Sequence, residues 1–473
     1  EKQEEGWAVK DLKAHRIHHY NQYGLLESIE DQNGQKTRLS YQGEMLESIE
    51  MPLGGRLQVT MRDGHLVQIS DSIGRTMQYR YENGLLSDVV HMDQGITHYE
   101  YDSNGYLVRA VDQAKVTYLC NEYDREGRVT LQTLANGDTY RAEYCQENRT
   151  VKVTNSIGNK TVLYVCSKIG EILSAEYGDG TKKSYAYDAA GNRVSSKDRR
   201  GNETRWKYDA IGRVVEEARP GGLVTTYQYD ENGDLVLKQD NAGHKIEQHF
   251  DGNHNMLCVT DQGRTVRYSY DRIGRLTGYT DACGGQTVYQ YEPGCGKPSV
   301  VRYADGEERH FFYDQAGRVM AEEDACGRTE YGYNARNKRT LVRDGEGNEF
   351  RWLYDGMSRL LAMYPPKAWK EKKGEYSYAY DFLDRLIRTT NPDGSCERQM
   401  RDGEGRILKK VHPNAYNAQT DDGDGVVYEY DSDGNNIRIH YPDGGCERMF
   451  YDVTGNRIKH VLPEAYDILE DDG

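Results

Sequence analysis

One short motif recurs along the chain at a nearly constant interval. Tyr-Asp-x-x-Gly returns every 20 to 22 residues in the middle of the sequence, for example at Tyr187, Tyr208 and Tyr229. When diverged copies are counted, the same register holds for 21 positions from Tyr20 to Tyr451. A fixed period of this length is typical of repeat architectures, in which each unit packs on its neighbours. The 473 residues therefore need not divide into conventional domains.

Each repeat contains two turns and two strands. A second Asp/Asn-Gly element lies halfway between the Tyr-Asp turns, for example at Asp198-Arg-Arg-Gly201. Between the turns, large side chains occupy every second position, as in the segments 204–208 and 266–270. This alternation is the signature of a β-strand. The sequence therefore predicts an all-β fold of tandem β-hairpin repeats, each about 21 residues long.

The residue types of the motif suit a tight turn and predict a structural role. Glycine supplies the positive φ that closes a short hairpin, and aspartate accepts hydrogen bonds from backbone N–H groups two residues on. Tyrosine can pack on neighbouring strands, and an arginine after the glycine, such as Arg213, can stack on a ring or pair with the aspartate. Because this set recurs throughout, we expect structure rather than a ligand site. The predicted structural anchors are Tyr187, Asp188, Gly191, Tyr208, Asp209, Gly212, Tyr229, Asp230, Gly233, Tyr270, Asp271, Gly274, Tyr313, Asp314, Gly317, Tyr430, Asp431, Gly434, Tyr451, Asp452 and Gly455.

The repeats predict one array over residues 1–473, with copies that are diverged at 1–180, regular at 181–360 and longer at 361–473. The extra length of the last group contains three related segments, which begin at Pro366, Pro413 and Pro463 and read Pro-x-Ala-Trp or Pro-x-Ala-Tyr. The chain starts without Met and stops inside a repeat. We therefore expect a fragment of a longer protein, truncated at both ends.

The predicted number of strands constrains the shape of the sheet. About 40 strands at a spacing of about 4.8 Å make a ribbon on the order of 200 Å long. Open twisted sheets of that size curl, and one turn about 60 Å across is too wide for opposite walls to meet. The sequence thus predicts a long curved or spiralling sheet with a hollow, shell-like interior. The excess of Tyr (39) over Phe (6) fits such a thin wall. A filled solenoid with one coil per repeat is the alternative, although it requires more aliphatic residues on one face.

Charge and motif searches exclude several functions. The formal net charge of -16 disfavours nucleic acid as a partner, and no apolar run approaches the length of a membrane span. The nine cysteines are too scattered for a disulfide framework or zinc site, so we expect solvated or half-buried positions. Asp421-Asp422-Gly423-Asp424 is interpreted as a solvated loop tip rather than a calcium site, and His15 as an exposed N-terminal residue. No catalytic, cofactor-binding or metal-ligating residue is predicted, and no cofactor.

The motif Tyr-Asp-x-x-Gly-Arg/Asn-Leu/Val, as in residues 208–214, resembles the YD repeat of Rhs proteins, of shell-forming subunits of insecticidal toxin complexes, and of teneurins. The resemblance covers nearly the whole chain. It implies a β-ribbon that spirals into a hollow shell, which in bacterial members encloses a C-terminal toxin domain and in teneurins serves as an extracellular adhesion scaffold. The Asp-Pro-x-Gly pair associated with the self-cleaving end of bacterial shells is missing, and the nearest segment reads Asn391-Pro392-Asp393-Gly394. Encapsulation and self-cleavage would therefore depend on flanking segments.

Three functions follow from these observations. We expect a structural shell segment, not an enzyme, that is secreted or at the cell surface. Its partner would be the remainder of the same polypeptide, including a toxin cargo. The alternative is an adhesion or carbohydrate-binding scaffold, in which Trp206, Trp352 and Trp369 stack on surface glycans or contact surface proteins. A glycosidase is a third hypothesis, for which the sequence nominates no carboxylate pair.

Overall fold

A computed structural model describes residues 2–3, 6–12, 14–135, 137–156, 161–178, 180–371, 373–381, 383–402, 405–431, 434–451 and 456–471. The predicted anchors Asp452 and Gly455 lie outside these residues.

The described residues form one 44-stranded sheet with very little helix. The first strands are β1 (Lys2–Gln3), β2 (Gly6–Asp11), β3 (Arg16–Asn21), β4 (Leu26–Glu30), β5 (Lys36–Gln42), β6 (Met45–Glu50), β7 (Arg56–Arg62), β8 (His65–Asp71), β9 (Thr76–Glu82), β10 (Leu85–Val90), β11 (Ile96–Tyr101), β12 (Leu107–Val111), β13 (Thr117–Tyr123), β14 (Val129–Leu134) and β15 (Thr139–Cys145). They are followed by β16 (Thr150–Asn155), β17 (Thr161–Cys166), β18 (Ile172–Tyr177), β19 (Lys182–Tyr187), β20 (Arg193–Lys197), β21 (Glu203–Tyr208), β22 (Val214–Ala218), β23 (Val224–Tyr229), β24 (Leu235–Asp240), β25 (Lys245–Phe250), β26 (Met256–Asp261), β27 (Arg264–Tyr270), β28 (Leu276–Thr280), β29 (Gln286–Tyr291) and β30 (Pro298–Arg302). The last are β31 (Glu308–Tyr313), β32 (Val319–Asp324), β33 (Gly327–Tyr333), β34 (Arg339–Arg343), β35 (Glu349–Tyr354), β36 (Leu360–Tyr364), β37 (Tyr376–Tyr380), β38 (Leu386–Thr390), β39 (Cys396–Arg401), β40 (Ile407–Asn417), β41 (Asp422–Tyr430), β42 (Asn436–His440), β43 (Cys446–Tyr451) and β44 (Arg457–Val461).

Strands pair antiparallel with their neighbours in sequence, but the two hairpins of a repeat differ in register. Across the Tyr-Asp turn, Tyr208 faces Val214 while Lys207 faces Glu216, so the later strand has one extra residue. The next hairpin, between β22 and β23, pairs without such a shift. A β-bulge of this kind bends its strand and increases the local twist. The bulge therefore recurs with the Tyr-Asp turn, for example again at Tyr229 and Tyr270.

Few side chains in the described residues are fully buried, and those that are buried are small. Val411 and Ser48 are the largest side chains with almost no exposed surface. The buried apolar residues are alanines, valines, two cysteines and Met449. Leu, Ile and aromatic side chains of the described residues all retain some exposure. This distribution fits a single-layer sheet in which burial occurs between neighbouring strands.

The longer C-terminal repeats accommodate their extra residues in two ways. The first Pro-x-Ala segment forms a single helical turn, α1 (Ala368–Glu371). In the second copy, the additional residues lengthen β40 and β41 into an extended hairpin. A three-residue 3₁₀ turn at Pro220–Gly222 is the other helical element of the described residues. No helix in this part of the chain has the length and apolar character that a membrane span requires.

Contacts between residues divide the chain into two compact units. Unit 1 comprises Glu1–Ile96, Tyr187–Val194 and Thr204–Gly347. Unit 2 comprises Thr97–Ala186, Ser195–Glu203 and Asn348–Gly473. Each unit thus combines stretches that are far apart in sequence. The predicted boundaries of diverged, regular and longer repeats stay a prediction.

Candidate functional site

The Tyr-Asp turns share one hydrogen-bonded geometry. In the turn after Tyr208, Oδ1 of Asp209 accepts the backbone N–H groups of Ile211 and Arg213 at 3.1 and 2.9 Å. The N–H of Gly212 donates to the carbonyl of Asp209 at 3.0 Å, and this glycine has a φ of 79°. The same carboxylate contacts form at Asp188, Asp230, Asp271 and Asp314, and Asp431 accepts the N–H four residues on. Positive φ angles recur at Gly191, Gly233, Gly274, Gly317 and Gly434.

The tyrosine hydroxyl ties each repeat to the one before it. The hydroxyl of Tyr229 donates to the carbonyl oxygen of Val214 at 3.0 Å, and Val214 is the residue that starts β22. Equivalent bonds are made by Tyr208, Tyr270, Tyr313, Tyr430 and Tyr451, and Tyr187 ends β19 directly before its turn. Burial raises the pKa of Tyr229, which keeps the hydroxyl protonated as a donor. Phenylalanine cannot make this bond, which accounts for the preference for tyrosine.

The arginine after the turn glycine makes both contacts that the sequence left open. Nε of Arg213 lies 2.6 Å from Oδ2 of Asp209, and its guanidinium carbon lies 4.3 Å from the ring centroid of Tyr229. Matching pairs of contacts are made by Arg128, Arg275, Arg318, Arg359 and Arg406. Burial by itself raises the pKa of Asp271, but hydrogen bonds from Arg275 outweigh it and hold the pKa below its ordinary value. These side chains therefore serve the turn and the adjoining repeat.

Within unit 1, turns more than 200 residues apart contact each other along a line that we call the seam. It joins Asn33, Arg75 and Asp93 to residues 255 and 335–337. The amides of Asn33 and Asn255 exchange two hydrogen bonds, of 3.2 and 3.0 Å. Arg336 binds the carboxylate of Asp93 through two nitrogens, at 2.6 and 2.8 Å. The sequence contained no signal for these pairs, because their members are 222 and 243 residues apart.

The seam also brings together His15, Asp234 and His254. Nδ1 of His254 lies 2.8 Å from Oδ2 of Asp234, and Nε2 of His15 lies 3.7 Å from Oδ1. The two imidazole rings stack with centroids 3.7 Å apart. The carboxylate is 6 % exposed, and the two imidazoles are about one-fifth exposed. The interpretation of His15 as an exposed N-terminal residue is therefore wrong, and the three side chains could hold a metal ion.

The acidic segments near the C-terminus bind arginines in a pattern that repeats after 50 residues. Asp421 pairs with Arg398 at 3.0 Å and accepts the hydroxyl of Tyr416 at 2.7 Å. Asp471 makes the equivalent contacts with Arg448 and Tyr466, at 3.1 and 2.9 Å. Hydrogen bonding by arginine lowers the pKa of Asp471 to about 2. These carboxylates thus act in ion pairs within unit 2.

Two cysteines differ from the expectation of solvated or half-buried positions. Cys396 and Cys446 are buried, and they occupy equivalent places 50 residues apart. Small apolar groups are the side chains that this sheet buries, and cysteine fits that class.

Comparison with known proteins identifies the family. The family model described as teneurin YD-shell matches residues 8–160, 153–293 and 249–397. The chain belongs to the teneurin YD-shell family. The predicted resemblance is thereby confirmed. Two solved structures show the same fold as this YD-shell chain. The crystal structure of TcdB2-TccC3 matches 99 % of the chain with a TM-score of 0.64 and 13 % identity. For the TcdB2-TccC3 structure without the hypervariable C-terminal region, the TM-score is 0.63 and the identity 12 % over 99 % of the chain. The prediction of an all-β array of hairpin repeats is confirmed.

Two curated relatives share part of the YD-shell sequence. The chain is 30 % identical over 155 residues to the double-stranded DNA deaminase toxin A of Burkholderia cenocepacia (strain H111). It is 25 % identical over 200 residues to the probable deoxyribonuclease RhsB of Dickeya dadantii (strain 3937). The matched regions are 32 % and 37 % of this chain, but 10 % and 14 % of those proteins. The chain also covers 34 % and 36 % of the two TcdB2-TccC3 chains. The relatives are thus much longer than the matched YD-shell segment.

Proposed function

We propose that this chain is a structural shell segment of an Rhs-type YD-repeat protein, which encloses or presents a toxin or effector domain carried elsewhere in the same polypeptide. The observation that carries the proposal is the teneurin YD-shell match, which extends over residues 8–397 without a gap. Two relatives named as a deaminase toxin and a probable deoxyribonuclease support it, because the chain matches only a small part of each. On this proposal the protein is secreted or at the cell surface, and its partner is the rest of its own polypeptide.

A structural role rather than catalysis also follows from how the polar residues are used. The predicted anchors Asp209 and Tyr229 contact Arg213 in the same way that their counterparts do in other repeats. Groups that recur with one geometry in many repeats stabilise the array, whereas a catalytic site needs a local departure from the repeat. We therefore propose that the chain is not itself an enzyme.

The proposal is tested by limited proteolysis of the natural polypeptide, tagged at its own C-terminus. Protease should cut a folded downstream domain slowly in the wild type and at least several times faster after Asp93→Asn, because this change breaks the ion pair with Arg336 in the seam. The control is Glu176→Gln, which breaks the exposed pair with Lys182 and should leave protection unchanged. Equal cleavage in all three proteins, or a natural polypeptide with no residues after the array, would refute enclosure.

The glycan-binding alternative has less support, because its candidate aromatic rings have intramolecular partners. The guanidinium of Arg193 lies 5.1 Å from the ring centroid of Trp206. Trp352 stacks on Phe350, and Trp369 contacts Tyr364 edge-on. A ring already covered on one face offers less area to a sugar. A glycan array probed with the folded chain should therefore give no specific binding, and saturable binding to one glycan class would favour the alternative.

A further inference from the structure

Two adjoining repeats of unit 1 carry residues that differ from the regular turn. Asp234 follows the turn glycine, at the position where Arg213 and Arg275 stand in regular copies. His254 takes the place of the turn glycine in the next repeat and has a φ of 65°. That conformation costs a residue with a side chain about 1–2 kcal/mol relative to glycine. His15, in the turn between β2 and β3, also has a positive φ, of 49°.

These departures place a buried carboxylate between two imidazoles. The regular arginine pairs with the aspartate of its own turn, as Arg213 does with Asp209. The carboxylate of Asp234 instead contacts His254 and His15, which are its only charged or chargeable partners in the described residues. A carboxylate that is 6 % exposed is costly to bury unless a cation or several hydrogen-bond donors compensate it. Neutral imidazoles supply only part of that compensation.

The spacing of the three donor groups suits a transition-metal ion. Their potential ligand atoms all lie within 4.8 Å of one another. Bonds of about 2.0–2.2 Å from zinc to nitrogen and oxygen place ligand atoms roughly 3.3–3.5 Å apart in a tetrahedron. The observed separations of 2.8 and 3.7 Å from the carboxylate oxygens therefore require only small side-chain movements. Two imidazoles and one carboxylate favour zinc-like ions over calcium or magnesium, which prefer oxygen ligands.

The surroundings leave room for this arrangement. A Cβ on Gly233 would lie 3.7 Å from Cε1 of His15 and 3.3 Å from Nη1 of Arg213. The glycine therefore allows the His15 ring to approach the turn. The nearby guanidinium of Arg213 is held by Asp209 and by the ring of Tyr229, so its charge is compensated by a separate carboxylate.

We propose that His15, Asp234 and His254 bind one divalent transition-metal ion of the zinc class, with water completing its coordination. The ion joins the turn between β2 and β3 to the turns that follow β23 and β25. Because these turns are more than 200 residues apart in sequence, the ion cross-links unit 1 at its seam. The proposal concerns the array alone and does not depend on a downstream toxin.

The test is a Zn²⁺ titration of the full chain by calorimetry, after removal of metal with a chelator. We expect one Zn²⁺ per chain, and His254→Gly should weaken its binding by roughly tenfold or more, since one of three protein ligands is lost. Glycine is the regular residue at this position, so the variant should keep the turn. His15→Asn provides a second ligand variant, because asparagine tolerates a positive φ. The matched control is His244→Asn, which changes a histidine that is 75 % exposed in another turn.

Spectroscopy and melting distinguish the bound ion from adventitious binding by surface histidines. Co²⁺ should give one equivalent of visible absorption in the wild type and in His244→Asn, and this signal should be lost in His254→Gly and His15→Asn. Zn²⁺ should raise the melting temperature of the wild type but not of the two ligand variants. Equal Zn²⁺ affinity in the wild type and both ligand variants, or no stoichiometric binding in the wild type, would overturn the proposal and leave a metal-free hydrogen-bonded cluster.

Discussion

Replacement of Gly274 by alanine tests whether the seam contributes to stability beyond the turns that form it. Gly274 has a φ of 82°, so alanine costs about 1–2 kcal/mol from backbone strain. A Cβ at this position would also overlap the side-chain amide of Asn33. Moving that amide breaks its two hydrogen bonds with Asn255, each of which contributes about 0.5–1.5 kcal/mol. The total expected loss is therefore about 2–5 kcal/mol.

Gly243→Ala is the matched control for the strain in the turn. Gly243 has a φ of 94°, and no atom lies within 4 Å of a Cβ built there. It should lose only about 1–2 kcal/mol, so the difference between the two variants, about 1–3 kcal/mol, measures the seam. Urea unfolding followed by circular dichroism gives both values. Hydrogen exchange of the amides in the 271–275 turn locates the effect.

A double-mutant cycle with Asn33→Ala isolates the steric contact. Truncation of Asn33 removes the amide that the added methyl group of Gly274→Ala would displace. The penalty of Gly274→Ala should then fall to that of Gly243→Ala within about 0.5 kcal/mol. If Gly274→Ala costs the same with and without the Asn33 amide, the two residues are not coupled and the reasoning about the seam is wrong.

Three further perturbations address the tyrosine, the turn carboxylates and the seam ion pair. Tyr229→Phe should cost about 0.5–1.5 kcal/mol in urea unfolding because a donor to the preceding repeat is lost, whereas Tyr23→Phe, at a ring that is 78 % exposed, should change stability by less than about 0.5 kcal/mol. Turn aspartates such as Asp271 have a folded-state pKa below the ordinary 3.8, so their stabilisation is present above that value and is lost as the pH falls below it; unfolding midpoints that do not change between about pH 4 and pH 2 would contradict this. Asp93→Asn leaves Arg336 without its carboxylate and should cost about 1–3 kcal/mol by the same urea assay, and no loss would show that the pair is not stabilising.

The repeat chemistry was predictable because each of its interactions is local or involves adjoining repeats. The turn carboxylate of Asp209 contacts residues two and four positions on, and Arg213 lies four positions away. Period, residue type and turn preference are all visible over such distances. The sequence analysis left open whether the arginine pairs with the aspartate or stacks on tyrosine, and the structure has both contacts. The regular bulge opposite the tyrosine was not foreseen, because alternation of side chains does not reveal one unpaired residue.

The amino-acid sequence by itself determined the hairpin repeat, its strands and the family of this chain, since a motif that recurs 21 times leaves few alternatives for local structure. Only the tertiary structure decided which distant turns meet. His15 and Asp234, or Asp93 and Arg336, have no pattern that connects them, because the curvature accumulated over many hairpins selects the partners. A small change in twist per repeat would shift every such pair. The candidate metal cluster therefore emerges from geometry that no short stretch of sequence encodes.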